Sequence, residues 1–312
     1  MKTLKEAKGE GVLATAKLID AFRDQLAASR QSLPSVRCLP HSRLIELLLD
    51  ARETVDSTIL RECPGTQLIQ LLEDAAVIRA IPLQPASSKK SVKLYSVGFD
   101  PTAATIPAAE LLQAHVPEGI LCYFTAIELH GLSTQPAPHY HIALKKAADP
   151  KRKVPLPKVS PSSDRPLPLG TLEFYADGVG YYRTRRDPAN LLSVQRRQLN
   201  PYCVVRVTTL EQTLLDCLHR PHSAGGAAVV FEAWEQGLTR SSPEKILTLA
   251  EKIGDKTLLR RTGYMIERFA PQSDSVQKAK RLIGSIPQDA MPTLLPGLAY
   301  QHANREWGLR TP

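Results

Sequence analysis

The chain has 312 residues, 43% of them hydrophobic, and its 40 lysines and arginines outnumber 31 acidic residues to give a formal net charge of +9. That length suits two domains of ordinary size, and the basic balance favours a polyanionic partner without requiring one. No run of residues is long and apolar enough to span a bilayer, no N-terminal segment has the charged-then-apolar form of a signal peptide, and the five cysteines form no C-x-x-C pair. We therefore expect a cytoplasmic protein with reduced thiols and no membrane partner.

Residues 1–35 predict an N-terminal helical extension, with Val12, Ala16, Ile19, Phe22 and Leu26 three or four residues apart. Residues 36–99 read as a winged helix-turn-helix. Ser42 is placed to cap a first helix carrying Leu44, Ile45, Leu47, Leu48 and Leu49, and Asp56 to cap a short second helix with Ile59 and Leu60. Pro64-Gly65 breaks the chain, and Thr66 opens a third helix with Leu68, Ile69, Leu71 and Leu72. Val77, Ile78 and Ile81 then predict a strand, Pro85 to Ser91 a polar loop, and Val92, Leu94, Tyr95 and Val97 a second strand.

In such a unit the third helix enters the major groove of double-stranded DNA and the hairpin touches the backbone. Gln67 and Gln70 can then pair with base edges, and Thr66 with the helix N-terminus can hold a phosphate. Lys89, Lys90 and Lys93 on the wing can neutralise phosphates. The competing reading is a helical packing module with a solvated hairpin, because the third helix has no Arg or Lys in its first turns and carries Glu73 and Asp74.

Residues 100–119 read as a linker punctuated by Pro101, Pro107 and Pro117, with a short helix around Ala108 to Ala114. Residues 120–312 form the larger domain. Tyr123 to His130 predicts a helix ended by Gly131, and His139 to Leu144 a strand. Lys145 to Leu169 is basic, too rich in proline for a helix or central strand, and reads as an exposed loop. Leu172 to Tyr175, Tyr181 to Arg183 and Val204 to Val207 predict strands. A helix follows in which Thr208 and Glu211 have capping-box spacing and Leu210, Leu214 and Leu218 form an apolar stripe ending at Arg220-Pro221. After Gly225-Gly226 comes a helix with Ala227, Val230, Phe231 and Trp234 on its buried face and Gly237 at its close. Further helices start at Ser242-Pro243, Asp255 and Asp274. The fold class is thus α+β: a winged helix-turn-helix followed by a larger mixed α/β domain with a helical end.

No phosphate loop, dinucleotide fingerprint or nucleophile elbow is present. Cys217, His219 and His222 lie close in sequence, and His139 and His141 share one face of a strand, but neither group has the ligand number and spacing of a zinc site. Glu173, Asp177 and Asp216 are the carboxylates nearest the strands, the minimum a Mg²⁺-dependent nuclease would need. We assign no catalytic residue, metal or cofactor. The stronger signal is cationic: Arg183, Arg185 and Arg186, then Arg196 and Arg197, beside Tyr181 and Tyr182, suit DNA backbone or an acidic protein face. Arg260 and Arg261 read as a solvated pair.

The pattern R-V-T-x-x-E-x-T-L-L-D-x-L-x-R-P-x-x-A-G-G from Arg206 to Gly226 resembles the C-terminal domain of the AbiEi-type antitoxins of bacterial toxin–antitoxin systems. A-I-E-L-H-G-L from Ala126 to Leu132, the strand P-H-Y-H-I-A-L, L-L-R-R-T-G-Y from Leu258 to Tyr264, and Arg305-Glu306-Trp307-Gly308 are similar to further segments of that family. The family's R-G-x-Y wing is represented only by Tyr95, preceded by Lys93-Leu94. The resemblance implies a DNA-binding antitoxin that represses its own operon at inverted repeats, with a C-terminal domain that counteracts an AbiEii-type nucleotidyltransferase toxin. The alternative is a transcriptional regulator without a toxin, whose larger domain senses a ligand or mediates assembly.

Overall fold

A computed structural model describes residues 4–86, 91–98, 106–147, 167–284 and 291–312, with side chains of the first helix from residue 11. The chain is mixed α/β and divides into two compact units. The first comprises residues 1–118 with 174–176 and 197–205, and the second comprises 119–173, 177–196 and 206–312.

The first unit contains α1 (Leu4–Ala28), β1 (Cys38–Pro40), α2 (His41–Thr54), α3 (Thr58–Arg61), α4 (Gly65–Asp74), β2 (Ile78–Ala80), β3 (Gln84–Pro85), β4 (Leu94–Val97) and α5 (Ala108–His115). Strands β1, β4 and β2 form an antiparallel sheet in that order, with Tyr95 between Leu39 and Ala80. Its core joins Leu18 and Phe22 of α1, Leu44, Leu47 and Leu48 of α2, Leu68 and Leu72 of α4, and Tyr95. The buried stripe of α1 is Ala14, Leu18 and Phe22, four residues apart, whereas Val12 is 72% exposed. The large Leu18 and Phe22 set the helix's rotation, because they remove the most apolar surface from water. Helix α2 begins one residue before Ser42 and has no side-chain cap, and Ser57 rather than Asp56 stands at the head of α3. After α4 the chain turns through Ala76 in the left-handed region (φ 54), and the Val77 N–H donates to the Leu72 carbonyl. That bond is the one a helix-terminating glycine usually accompanies.

Glu110 of α5 is fully buried in this unit. Its carboxylate accepts from Ser35 Oγ at 2.7 Å, from the Arg37 guanidinium at 2.8 Å and from Asn200 Nδ2 at 2.8 Å. Backbone bonds join the same segments: Val36 N–H donates to the Tyr202 carbonyl and Val204 N–H to the Pro34 carbonyl.

The second unit is built on β5 (Ile120–Leu121), α6 (Phe124–His130), β6 (His139–Lys145), β7 (Thr171–Ala176), β8 (Val179–Arg186), β9 (Val194–Asn200), β10 (Cys203–Thr208), α7 (Leu210–His219), α8 (Ala227–Leu238), α9 (Pro243–Ile253), α10 (Lys256–Phe269), α11 (Asp274–Gly284), β11 (His302–Asn304) and β12 (Leu309–Thr311). Parts of β7, β9 and β10 belong to the first unit. In the second, β6 pairs in parallel with β8 and antiparallel with β5, and β5 pairs in parallel with β10. Strand β7 turns into β8 at Asp177-Gly178, both at positive φ (48 and 77), as a tight hairpin turn requires.

The helical core gathers Leu214, Leu215 and Leu218 of α7, Val230 and Trp234 of α8, Ile246 and Leu247 of α9, and Met265 and Ile266 of α10. Thr209, not Thr208, caps α7, its hydroxyl accepting from the Gln212 N–H; Thr208 is buried and shares a hydrogen bond with Thr213 at 2.8 Å. Glu211 instead accepts from Ser241 Oγ. Gly237 lies inside α8 rather than closing it, and an added Cβ would stand 2.8 Å from Leu214 Cδ1. Ser242 and Asp255 cap α9 and α10 with their side chains, as the sequence predicts.

Arg260 and Arg261 are buried rather than solvated. The Arg261 guanidinium donates to the carbonyls of Leu218 (2.9 Å) and Thr293 (2.8 Å), closing the carbonyl end of α7. Trp307 is buried against Gly263, and its Nε1 donates to Glu267 at 2.6 Å.

Candidate nucleic-acid interface

Helix α4 starts after Pro64, so its first backbone N–H groups have no side-chain cap. Thr66, Gln67 and Gln70 are all exposed on it, opposite the buried Leu68, Ile69 and Leu72. Their settings differ. Gln67 and Gln70 line one side of an apolar groove of about 810 Å³, whose other side is Val12, Ala16 and Ile19 of α1. The Gln70 amide donates to Asp74 at 2.8 Å and is occupied in this structure, whereas among the described residues none bonds the side chains of Gln67 or Thr66. On the hairpin beside α4, Lys93 is exposed immediately before β4, and Arg79 is exposed on β2 opposite Ser96. Lys89 and Lys90 lie outside the described residues. Sequence reasoning passed over Arg79, although the alternation Ile78-Arg79 in a short strand sends one side chain to each face.

The arginine cluster of the second unit separates into different environments. Arg185 on β8 is exposed. Arg183, two residues earlier on the same strand face, donates from Nε to Glu173 at 3.0 Å. Arg186 points to the opposite face and is 6% exposed, with its guanidinium forming two bonds to Asp216 at 2.5 and 2.6 Å and a third to the Asn190 carbonyl at 2.7 Å. Gln212 completes the arrangement, donating to Asp216 and accepting from the backbone N–H of Leu192. Arg186 is therefore a buried structural cation, and the reading of it as a DNA contact is corrected: a guanidinium bonded on both branches has no face left for phosphate. The Asp216 charge keeps the Arg186 guanidinium protonated, despite burial that acts the other way. Arg196 and Arg197 are adjacent on β9 and exposed, pointing to alternate faces.

Of the carboxylates nearest the strands, Glu173 and Asp216 are each bound by an arginine, and Asp177 sits in the hairpin turn. Cys217 is buried in the helical core, while His222 leaves that sequence neighbourhood to approach His139. Among the described residues no three His, Cys, Asp or Glu side chains are arranged to hold a metal ion. Also among them, no helix is long and apolar enough to cross a membrane.

No family model matches the chain, and no curated protein matches it. Among solved structures it is similar to the crystal structure of the RV2827C protein from Mycobacterium tuberculosis, at 14% identity and a TM-score of 0.54, over 92% of this chain and 89% of that one. At that identity the likeness is one of fold, and it extends across both units.

Proposed function

We propose that this chain is a DNA-binding antitoxin that represses its own operon and counteracts a nucleotidyltransferase toxin. The observation that carries the DNA half is the order β1–α2–α3–α4–β2–β4, with α4 presenting an exposed, uncapped N-terminal turn and a cation-bearing hairpin following it. We read it as a winged helix-turn-helix. Thr66 and the free N–H groups of α4 hold a phosphate, Gln67 reads a base edge, and Arg79, Lys93 and the sequence-adjacent Lys89 and Lys90 neutralise the backbone. Arg185, Arg196 and Arg197 are further exposed cations suited to phosphate, each taken within its own unit.

The antitoxin half rests on the resemblance of the Arg206–Gly226 pattern to the AbiEi-type family. Several residues of that pattern, among them Thr213, Leu214 and Asp216, are buried, so they specify the fold of the second unit rather than a contact surface. A partner would meet residues around them.

The test is binding to DNA upstream of the chain's own reading frame, by gel shift against random-sequence competitor at two salt concentrations. Specific, salt-sensitive binding supports the regulator; binding no tighter than to random DNA overturns it. Co-expression with the neighbouring reading frame tests the second half: growth rescue by the full chain supports antitoxin activity, and no rescue leaves a regulator without a toxin.

A further inference from the structure

The fold joins histidines that are far apart in sequence. His139 and His141 lie on the same face of β6, and His222 arrives from the turn after α7. The His139 and His141 rings are 4.8 Å apart between centroids, and those of His139 and His222 are 6.3 Å apart. The row is graded in depth: His222 is exposed, His139 is 8% exposed and His141 is fully buried. Solvent reaches one end only.

The groups facing His141 come from each element around it. Tyr182 of β8 stacks on its ring at 5.4 Å, and Tyr123, at the head of α6, meets it edge-on at 5.5 Å. His139, Arg220 and His222 all place positive or potentially positive charge toward it. Among the described residues the charges acting on it are these cationic groups, and Asp216 on α7 is paired with Arg186. Among the described residues neither ring nitrogen of His141 has a hydrogen-bond partner, and the hydroxyls of Tyr123 and Ser223 are likewise buried without one. Tyr123 itself adopts φ 53, ψ −131, a region bulky residues rarely occupy, so the surrounding packing holds backbone strain at this point.

The 220–226 turn closes over the row. His139 Nε2 donates to the Ser223 carbonyl at 3.2 Å, and that carbonyl also accepts from the Phe124 N–H at 3.3 Å. With neutral rings the row is an aromatic stack. With a proton on His141 it is a buried imidazolium with no acceptor, next to Arg220. We propose that the His139–His141–His222 row is an acid-sensitive latch, in which proton uptake releases the 220–226 turn from the sheet.

The direction follows from linkage. Burial lowers His139 below the usual 6.5 and His141 well below it. The released state therefore binds more protons than the closed one. Closure is at full strength above the ordinary histidine range and weakens as pH falls below it. Hydrogen–deuterium exchange of the full chain at pH 7.5 and 5.5, corrected for intrinsic chemistry, tests the latch. Opening of the turn should increase about tenfold for each histidine that charges on release. His141→Phe keeps the stack and removes one titrating group, so most of one such factor should vanish. His139→Gln retains a donor for the Ser223 carbonyl and should do the same, and it carries the test if the first variant does not fold. An acid response equal in the parent and both variants, or none in the parent, overturns the proposal.

Discussion

The ring of Trp307 occupies the space that a side chain at position 263 would fill: a Cβ on Gly263 would stand 2.0 Å from the indole Cζ3. The C-terminal segment is thus keyed into α10 by one missing methyl group, and the contact is fastened at its edge by Glu267, which accepts from the indole and pairs with Lys280 at 2.7 Å. Gly263→Ala should destabilise the chain by about 3 kcal/mol, at the upper end of the cost of overpacking. Gly284→Ala, whose Cβ meets none of the described residues within 4 Å, is the control and should be neutral or slightly stabilising. Urea unfolding of both variants decides; a Gly263→Ala midpoint equal to the control's refutes the keyed contact.

Asp216→Ala strands the Arg186 guanidinium in the interior and should cost about 3–5 kcal/mol. Replacing both partners, Arg186→Met with Asp216→Leu, should recover most of that loss, since no uncompensated charge remains. Equal losses in the single and double variants would show that the pair matters for its shape and not for its charge.

Thiol reactivity should be confined to one site. Cys38, Cys122, Cys203 and Cys217 are buried, and burial pushes the Cys122 and Cys203 thiols up to about 12. Cys63 is only half-buried. Native protein treated with iodoacetamide at mildly alkaline pH should take up one label, on Cys63, because the thiolate is the reacting species. Mass spectrometry showing rapid labelling of Cys122 in the native state would contradict the packing around β5.

On DNA, Lys93→Ala and Arg79→Ala should each weaken binding to all sequences alike and reduce the salt slope by about 1. Gln67→Ala should lower operator preference by about 1–3 kcal/mol, while Gln70→Ala should change it little, because its amide is bound to Asp74. Preference lost at Gln70 and kept at Gln67 would reverse the assignment of the reading face.

Ala76 holds a left-handed conformation at the end of α4 with φ 54. Ala76→Gly removes the Cβ clash but adds freedom to the unfolded chain, so the net gain should be about 0.5–1 kcal/mol. A loss in thermal or urea stability would show that the Ala76 methyl packs more favourably than its backbone geometry suggests.

Elements with strong local signals were legible in the sequence. Ser242, Asp255 and Gly131 end or begin helices where their chemistry places them, because caps depend on near neighbours alone. Tertiary packing decided the rest. Thr208 and Thr209 are both plausible caps, and the buried bond of Thr208 to Thr213 selects the second. Gly237 resembles a helix stop, but its role is close approach to Leu214, which only the neighbouring helix reveals. The arginines were the least legible. Arg183, Arg185 and Arg186 are nearly contiguous, yet the first is half-buried and paired with Glu173, the second exposed and the third buried against Asp216, because strand alternation and a distant aspartate sort them. Arg260 and Arg261 look like surface cations until Leu218, Thr293 and Gly308 supply carbonyls. Strand β9, with the composition V-Q-R-R-Q-L-N, has no apolar alternation to announce it.

Glu110 receives bonds from Ser35 and Arg37 on one side of the sequence and from Asn200 on the other. Cutting the gene after residue 118 would therefore leave a carboxylate sealed in the interior short of a donor, and would take Tyr202 and Val204 from their backbone partners. The first unit is not an excisable cassette. A recombination event that exchanged it between relatives would need several crossovers, and a truncated fragment would be a target for proteases rather than a free-standing module. Functional dissection of this chain calls for point substitutions in the whole protein.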